Sequence, residues 1–104
     1  MWQSGRMDKG TVLDTLRLHE MELRAAGIEH LRLFGSVARG DQTLSSDVDL
    51  LADFDRSSRR TLITMIHLEN RLTDLLGTRV ELTPADGMKE AVRARALREA
   101  ILAF

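Results

Sequence analysis

The most constraining feature of this sequence is the segment 34–50, which reads FGSVARGDQTLSSDVDL. It contains a Gly-Ser turn and a helical turn, and it ends in two aspartates separated by one residue. Successive side chains of a strand point to opposite faces, so Asp47 and Asp49 share one face. Two carboxylates on one rigid edge suit Mg²⁺, which completes its coordination with water and phosphate oxygens. Taken alone, the pair is equally compatible with the solvated start of an edge strand.

The Gly35-Ser36 turn precedes this carboxylate pair by ten residues. A strand followed by such a turn and a helical turn presents backbone N–H groups, and the helix dipole there also favours phosphate. Glycine lets the backbone approach the phosphate, and the Ser36 hydroxyl adds a hydrogen-bond donor. Arg39, on the same turn, can neutralise the negative charge of the phosphate. An ordinary strand-to-helix turn is the alternative for Gly-Ser by itself. The combination with the carboxylate pair favours a phosphate site.

Glu81 is the third candidate carboxylate. It lies on a strand predicted at residues 79–83, on the face opposite Val80 and Leu82. If the strands are neighbours, Glu81 stands beside the aspartates, where a carboxylate can bind a second metal ion or accept the proton of an attacking hydroxyl. A solvent-facing glutamate next to Arg79 is the alternative.

The histidines show no metal-ligand spacing, and the arginines of the last predicted helix do not cluster on one face. The histidines are His19, His30 and His67, and the arginines of the last predicted helix are Arg93, Arg95 and Arg98. The histidines occur singly on different elements, so we interpret them as structural or surface residues. The arginines span several helical faces, so we expect them to be solvated, with contact to a triphosphate or an acidic partner as the less favoured alternative.

Hydrophobic periodicity predicts an α/β (α+β) domain in which helices cover a small sheet of three strands. The predicted order is a helix at 10–26, a strand at 28–34, a helical turn at 36–39 capped by Ser36, a strand at 48–54, a helix from a Ser57 or Ser58 cap to 76, a strand at 79–83 and a helix at 88–103. The predicted apolar residues of the last two long helices are Leu62, Ile63, Met65, Ile66, Leu72, Leu75 and Leu76, then Met88, Val92, Leu97, Ala100 and Ile101.

Composition limits the function classes. With 104 residues we expect one domain at 10–104 after a flexible stretch at 1–9. A net charge of −1 provides no basic field for nucleic acid, so no direct nucleic-acid binding is expected. The absence of cysteine excludes disulfides and fits the cytoplasm, our predicted location. No apolar run approaches the ~20 residues of a membrane span, so no membrane partner is expected.

On these residues the chain resembles the minimal nucleotidyltransferases (MNT) of the DNA polymerase β-like superfamily. The family signature is Gly-Ser, ten residues and Asp-x-Asp, and here the internal segment 38–40 and Ser46 match as well. The resemblance extends from about Val12 over nearly the whole chain, including the segment 79–84 before Gly87. One position departs, because the family commonly has aspartate where this chain has Glu81. The extra methylene moves the carboxylate by about 1 Å, which is enough to weaken a near-attack geometry.

The resemblance implies the nucleotidyltransferase (polymerase β palm-like) fold, with a small three- to four-stranded mixed sheet flanked by helices. It also implies transfer of AMP from ATP to a hydroxyl. It implies Mg²⁺, as two ions, at the catalytic carboxylates. The implied metal-binding and catalytic residues are Asp47, Asp49 and Glu81, and the implied nucleotide-binding residues are Gly35, Ser36, Arg39 and Ser46. Many such proteins resemble antitoxins encoded beside a HEPN-domain toxin, a ribonuclease that they silence by adenylylating a tyrosine.

Two features of the chain bear on this hypothesis independently of the family. The domain is small, so the acceptor surface is expected on a partner in a homo- or hetero-oligomer. The sequence contains no tyrosine, so a tyrosyl acceptor has to come from another chain. Two alternatives remain open: an antitoxin that only binds its toxin, and a nucleotidyltransferase that modifies a small molecule such as an aminoglycoside.

Overall fold

The structure is a computed structural model that describes residues 8–40, 47–57 and 60–104. Its elements are α1 (Lys9–Leu18), α2 (Glu20–Ala25), β1 (Ile28–Phe34), α3 (Ser36–Arg39), β2 (Val48–Phe54), α4 (Leu62–Leu76), β3 (Val80–Pro84), a 3₁₀ turn (Ala85–Gly87), α5 (Glu90–Glu99) and β4 (Ile101–Leu102). Within the described ranges, no helix is both long enough and apolar enough to cross a membrane.

The four strands form one mixed sheet in the order β3-β2-β1-β4. β1 is antiparallel to both β2 and β4, whereas β2 and β3 are parallel. A parallel pair needs a crossover connection, and α4 supplies it. The prediction of a mixed sheet flanked by helices is confirmed.

The two faces of the sheet are covered unequally. The larger core joins one face of the sheet to α1, α2 and α4. The smaller core joins Leu51 to Ala85 of the 3₁₀ turn and Ala96 of α5. Leu50 and Leu51 are both fully buried, so the centre of β2 is covered on both faces. Among the described residues, this small cluster is the only apolar cover of the second face, and Asp49 and Asp53 lie on the same face.

Strands β1 and β2 have the predicted bounds, but several helix ends differ. The predicted helix at 10–26 is interrupted at His19, and Asp8 caps its start by accepting from the Thr11 N–H at 2.8 Å. The predicted cap of α4 is wrong: Thr61 caps it in a reciprocal pair with Thr64. Ser57 instead donates to the Asp55 carboxylate, which closes a local turn, and Ser58 lies outside the described residues.

The predicted apolar face of α4 is also wrong in part. Its buried residues are Leu68, Leu72 and Leu76, at spacings of four. At about 100° per residue, Ile63 and Ile66 project away from that face. Leu62, Ile63 and Ile66 are therefore exposed, with Leu62 at 77%.

The C-terminal segment contains a strand that the sequence analysis did not predict. Helix α5 ends at Glu99, and Ile101–Leu102 pairs with β1. The Arg17 guanidinium donates to the carbonyl oxygens of Leu102 at 3.0 Å and Ala103 at 2.8 Å, which holds this segment extended. The predicted burial of Val92 is wrong, since its side chain is 53% exposed.

Candidate active site

Strand register places two of the candidate carboxylates side by side. Asp49 of β2 pairs with Glu81 of β3, and the parallel ladder puts both side chains on the same face. Two side chains of α4 fix β3 from its outer edge: the Thr73 hydroxyl accepts from the Val80 N–H at 3.2 Å, and the Glu69 carboxylate accepts from the Leu82 N–H at 3.0 Å. Glu81 therefore sits between two anchored residues.

Asp47 directly precedes β2 and lies at the same end of the sheet. Its Oδ2 is 3.9 Å from Nε of Arg79, and both side chains are open to solvent. The start of the β2–β3 ladder is held by a 2.9 Å hydrogen bond from the Val48 N–H to the Arg79 carbonyl. The structure thus brings the three predicted carboxylates to one end of the sheet.

The electrostatics of this end favour a bound cation. Burial raises the pKa of Asp49, and the negative charges of Glu81 and Asp47 raise that pKa further. The positive charge of Arg39 opposes part of this increase in the pKa. Ionising a carboxylate close to other negative charges costs free energy, and a cation that binds to the carboxylate removes this cost.

Gly35 packs directly against Asp49. Its φ is +79°, a conformation that L side chains rarely adopt, and a Cβ added there would lie 2.3 Å from Oδ2 of Asp49. Phe34, the preceding residue, pairs with Asp49 across the sheet. The turn and the carboxylates are therefore one unit, and glycine is required at their contact.

The short helix α3, which follows Gly35, is anchored to the core by two buried side chains. Val37 and Ala38 are buried, and Gly40 ends the helix in the left-handed conformation. The N-cap is Gly35, with no side-chain cap bond, so the prediction that Ser36 caps this helix is wrong. As the first helical residue, Ser36 keeps its hydroxyl for another acceptor or ligand. Ser46 lies outside the described residues.

Helix α5 contributes two residues that the sequence analysis did not assign to the site. Oε2 of Glu99 lies 3.8 Å from Nη1 of Arg39, and Oε1 of Glu99 lies 3.9 Å from Nε of Arg95. Arg95 and Glu99 are one helical turn apart, and that spacing was visible in the sequence. The sequence does not show that these two residues lie near Arg39, because that proximity depends on how α5 packs on the sheet.

The donor set fits Mg²⁺ that arrives with a nucleotide. In the part of the chain that the structure describes, no three His, Cys, Asp or Glu side chains already form a metal-binding group. Mg²⁺ does not need one, because it usually takes one or two protein carboxylates and fills its other positions with water and phosphate oxygens. Asp47 and Asp49 supply carboxylates of this kind.

Comparison with known proteins identifies the family. Residues 16–103 match the family model described as "Nucleotidyltransferase domain". The chain belongs to this nucleotidyltransferase family. The predicted family, fold and enzyme class are confirmed.

Relatives of this nucleotidyltransferase have closely similar lengths. The chain is 38% identical over 87 residues to the protein adenylyltransferase MntA of Thermococcus cleftensis, covering 83% of this chain and 86% of the relative. It is 39% identical to a solved structure assigned as a minimal nucleotidyltransferase, with a TM-score of 0.74 and coverage of 94% of this chain and 98% of that one.

Toxin–antitoxin complexes share the fold at lower identity. One solved structure is a toxin–antitoxin with AMP-PNP, 18% identical with a TM-score of 0.71, covering 88% of this chain and 73% of that one. Another is a tri-AMPylated Shewanella oneidensis HEPN toxin in complex with an MNT antitoxin, 15% identical with a TM-score of 0.63, covering 88% and 71%. At this identity the similarity establishes the fold only.

Proposed function

We propose that this nucleotidyltransferase is an antitoxin that transfers AMP from ATP to a hydroxyl of a partner HEPN-domain ribonuclease toxin, with tyrosine as the expected acceptor. The observation that carries the proposal is that Asp49, which pairs with Glu81 across the β2–β3 ladder, packs against Gly35. The name of the Thermococcus relative and the AMPylated toxin in the structurally similar complex support the acceptor class. A cytoplasmic location belongs to the same proposal.

Each predicted site residue has a role in this reaction. Asp47 and Asp49 hold Mg²⁺, with Glu81 as the third ligand or as the general base. When bound, Mg²⁺ neutralises charge on the reacting phosphate oxygens. The Gly35-Ser36 turn, Arg39 and Ser46 bind the phosphates. These last four residues orient the triphosphate so that its α-phosphorus faces the acceptor.

The transfer balances without any further reactant. The acceptor oxygen forms a bond to the α-phosphorus of ATP, and the bond from that phosphorus to the bridging oxygen of the β-phosphate breaks. Pyrophosphate leaves, and the carboxylate of Glu81 accepts the hydroxyl proton. The sequence contains no tyrosine, so the acceptor tyrosine belongs to another chain.

Intact mass spectrometry of the protein encoded beside this one tests the proposal. That protein is incubated with MgATP and either the wild type or the Asp47→Asn/Asp49→Asn double variant. A mass gain in AMP-sized steps that requires both aspartates is the expected result. No gain despite a stable complex would indicate an antitoxin that acts by binding. No gain and no complex would indicate the small-molecule alternative.

A further inference from the structure

A groove opens between the Gly35 turn and α5. Its volume is about 290 Å³, and its apolar wall includes Phe34 and Val92. Arg39 and Arg95 also line this groove. Gly35 lines the groove and also packs against Asp49, so the groove adjoins the candidate metal site.

The carboxylate of Glu99 lies between the two guanidinium groups of this groove. Its two oxygens are 3.8 Å from Arg39 and 3.9 Å from Arg95, longer than a hydrogen bond of about 2.7–3.2 Å. The Glu99 side chain is 44% exposed. Solvent-exposed ion pairs of this kind contribute little net stability, so a more highly charged anion displaces Glu99 at small cost.

We propose that Arg95 is a second phosphate-binding arginine and that Glu99 occupies the place of a phosphate oxygen when no nucleotide is bound. The inference rests on the proposed function and extends its nucleotide site onto α5. Guanidinium groups bind phosphate oxygens through paired N–H donors, and two of them lining one groove match the charge of a triphosphate. Arg39 reaches the phosphate from the turn, and Arg95 reaches it from the helix.

Helix α5 provides a matched control for this role. Arg93 and Arg95 are both exposed arginines of the same helix, two residues apart. At about 100° per residue they project from nearly opposite faces, and only Arg95 lines the groove. Exchange of either arginine for glutamine removes one positive charge at a similar distance along the helix. A difference in ligand affinity between the two variants therefore reports the contact that Arg95 makes in the groove, since both variants lose the same net charge.

The experiment is titration calorimetry with ATP, and separately with inorganic tripolyphosphate, in excess Mg²⁺. Four proteins are compared: the wild type, Arg95→Gln, Glu99→Gln and Arg93→Gln. We expect Arg95→Gln to weaken binding of both ligands roughly 3- to 10-fold, as the loss of one exposed charge-assisted contact should. Glu99→Gln should tighten binding roughly 2- to 5-fold, because the competing anion is gone. Arg93→Gln should stay within about twofold of the wild type.

Equal effects of Arg95→Gln and Arg93→Gln would overturn the inference while the proposed function stands. Weaker binding of ATP with unchanged binding of tripolyphosphate would place Arg95 on the nucleoside and overturn its phosphate role. Glu99→Gln binding no tighter than the wild type would remove the role of Glu99 as a competing anion. A wild type that binds neither ligand would overturn both this inference and the proposed function.

Discussion

Two aspartates of β2 lie on the same face, four residues apart, in opposite electrostatic settings. Asp53 accepts a 2.6 Å hydrogen bond from Nη1 of Arg32 on the adjacent strand. The pKa of Asp49 is instead raised, first by burial and then by the charges of Glu81 and Asp47. Both side chains are partly buried, so burial alone does not distinguish them.

The difference separates a structural carboxylate from a candidate functional one. At Asp53 the protein provides a close guanidinium, and the resulting pair ties β1 to β2. At Asp49 the protein places the carboxylates of Glu81 and Asp47 nearby, and their repulsion costs free energy until a cation binds. Exchanging each aspartate for asparagine should therefore produce opposite phenotypes.

The largest expected effect is on transfer. Asp49→Asn should lower the rate of AMP transfer to the partner protein roughly 10³-fold, because a metal-ligand charge is worth several kcal/mol in the transition state. Asp53→Asn should retain most of the rate. The measurement is initial-rate transfer of labelled AMP, and similar losses in both variants would remove the functional distinction.

The second effect concerns the contact between Gly35 and Asp49. Gly35→Ala should lower transfer roughly 10²-fold, because its Cβ displaces a carboxylate that has to be positioned within a fraction of an ångström. Gly77→Ala is the control: Gly77 also has a positive φ, +69°, but nothing lies within 4 Å of its added Cβ. It should lose stability and keep activity. If both variants lose activity equally, backbone strain and not the Asp49 contact is responsible.

The third effect is on stability at Asp53. Asp53→Asn should reduce the free energy of unfolding by about 1–2 kcal/mol, because the partly buried Arg32 loses its charged partner. Urea denaturation followed by circular dichroism measures the change. The double variant Arg32→Gln/Asp53→Asn should lose less than the sum of the single variants, and additive losses would argue against a coupled pair.

The smallest expected effect is a gain in thermal stability when Asp49 is exchanged for asparagine. Because folding raises the pKa of Asp49, ionisation of this group disfavours the folded state. The penalty is absent at low pH, grows as pH rises above the usual aspartate value of about 3.9, and is complete above the raised pKa. Asp49→Asn should therefore raise Tm at neutral pH, by less than the loss expected from Asp53→Asn because Asp49 is partly open to solvent.

Thermal scans of Asp49→Asn and the wild type at several pH values check this prediction. The difference in Tm should shrink as the pH falls toward 4. A destabilised Asp49→Asn at neutral pH would contradict the assignment of electrostatic strain to this carboxylate.

Sequence alone predicts β1, β2, most of β3 and the Gly-Ser to Asp-x-Asp motif because their signals are local. Residues 31–33 and 48–50 alternate between apolar and polar side chains, and Gly35 ends the first strand where its conformation is required. The Asp-x-Asp spacing places two carboxylates on one face by strand geometry alone. Glu81 lies beside Asp49 because β2 and β3 are neighbours in the sheet. The sequence does not show which strands are neighbours, so it predicts this proximity only if those two strands pair.

Several of the errors come from contacts between distant segments. The two-residue strand β4 is stabilised by Arg17, which is 85 residues from Leu102, and no local pattern reports that contact. The face of α4 that is buried depends on where the sheet lies, so Ile66 could not be assigned from its hydrophobicity. The place of Arg95 beside Arg39 likewise depends on the packing of α5.

The most direct test of the central claim is calorimetric titration of MgATP into the wild type, Asp49→Asn and Asp53→Asn. We predict that Asp53→Asn binds MgATP like the wild type, whereas Asp49→Asn loses the Mg²⁺-dependent part of the affinity. Equal Mg²⁺-dependent affinity in all three proteins would contradict the claim that the clustered carboxylates at this end of β2 and β3 form the metal–nucleotide site.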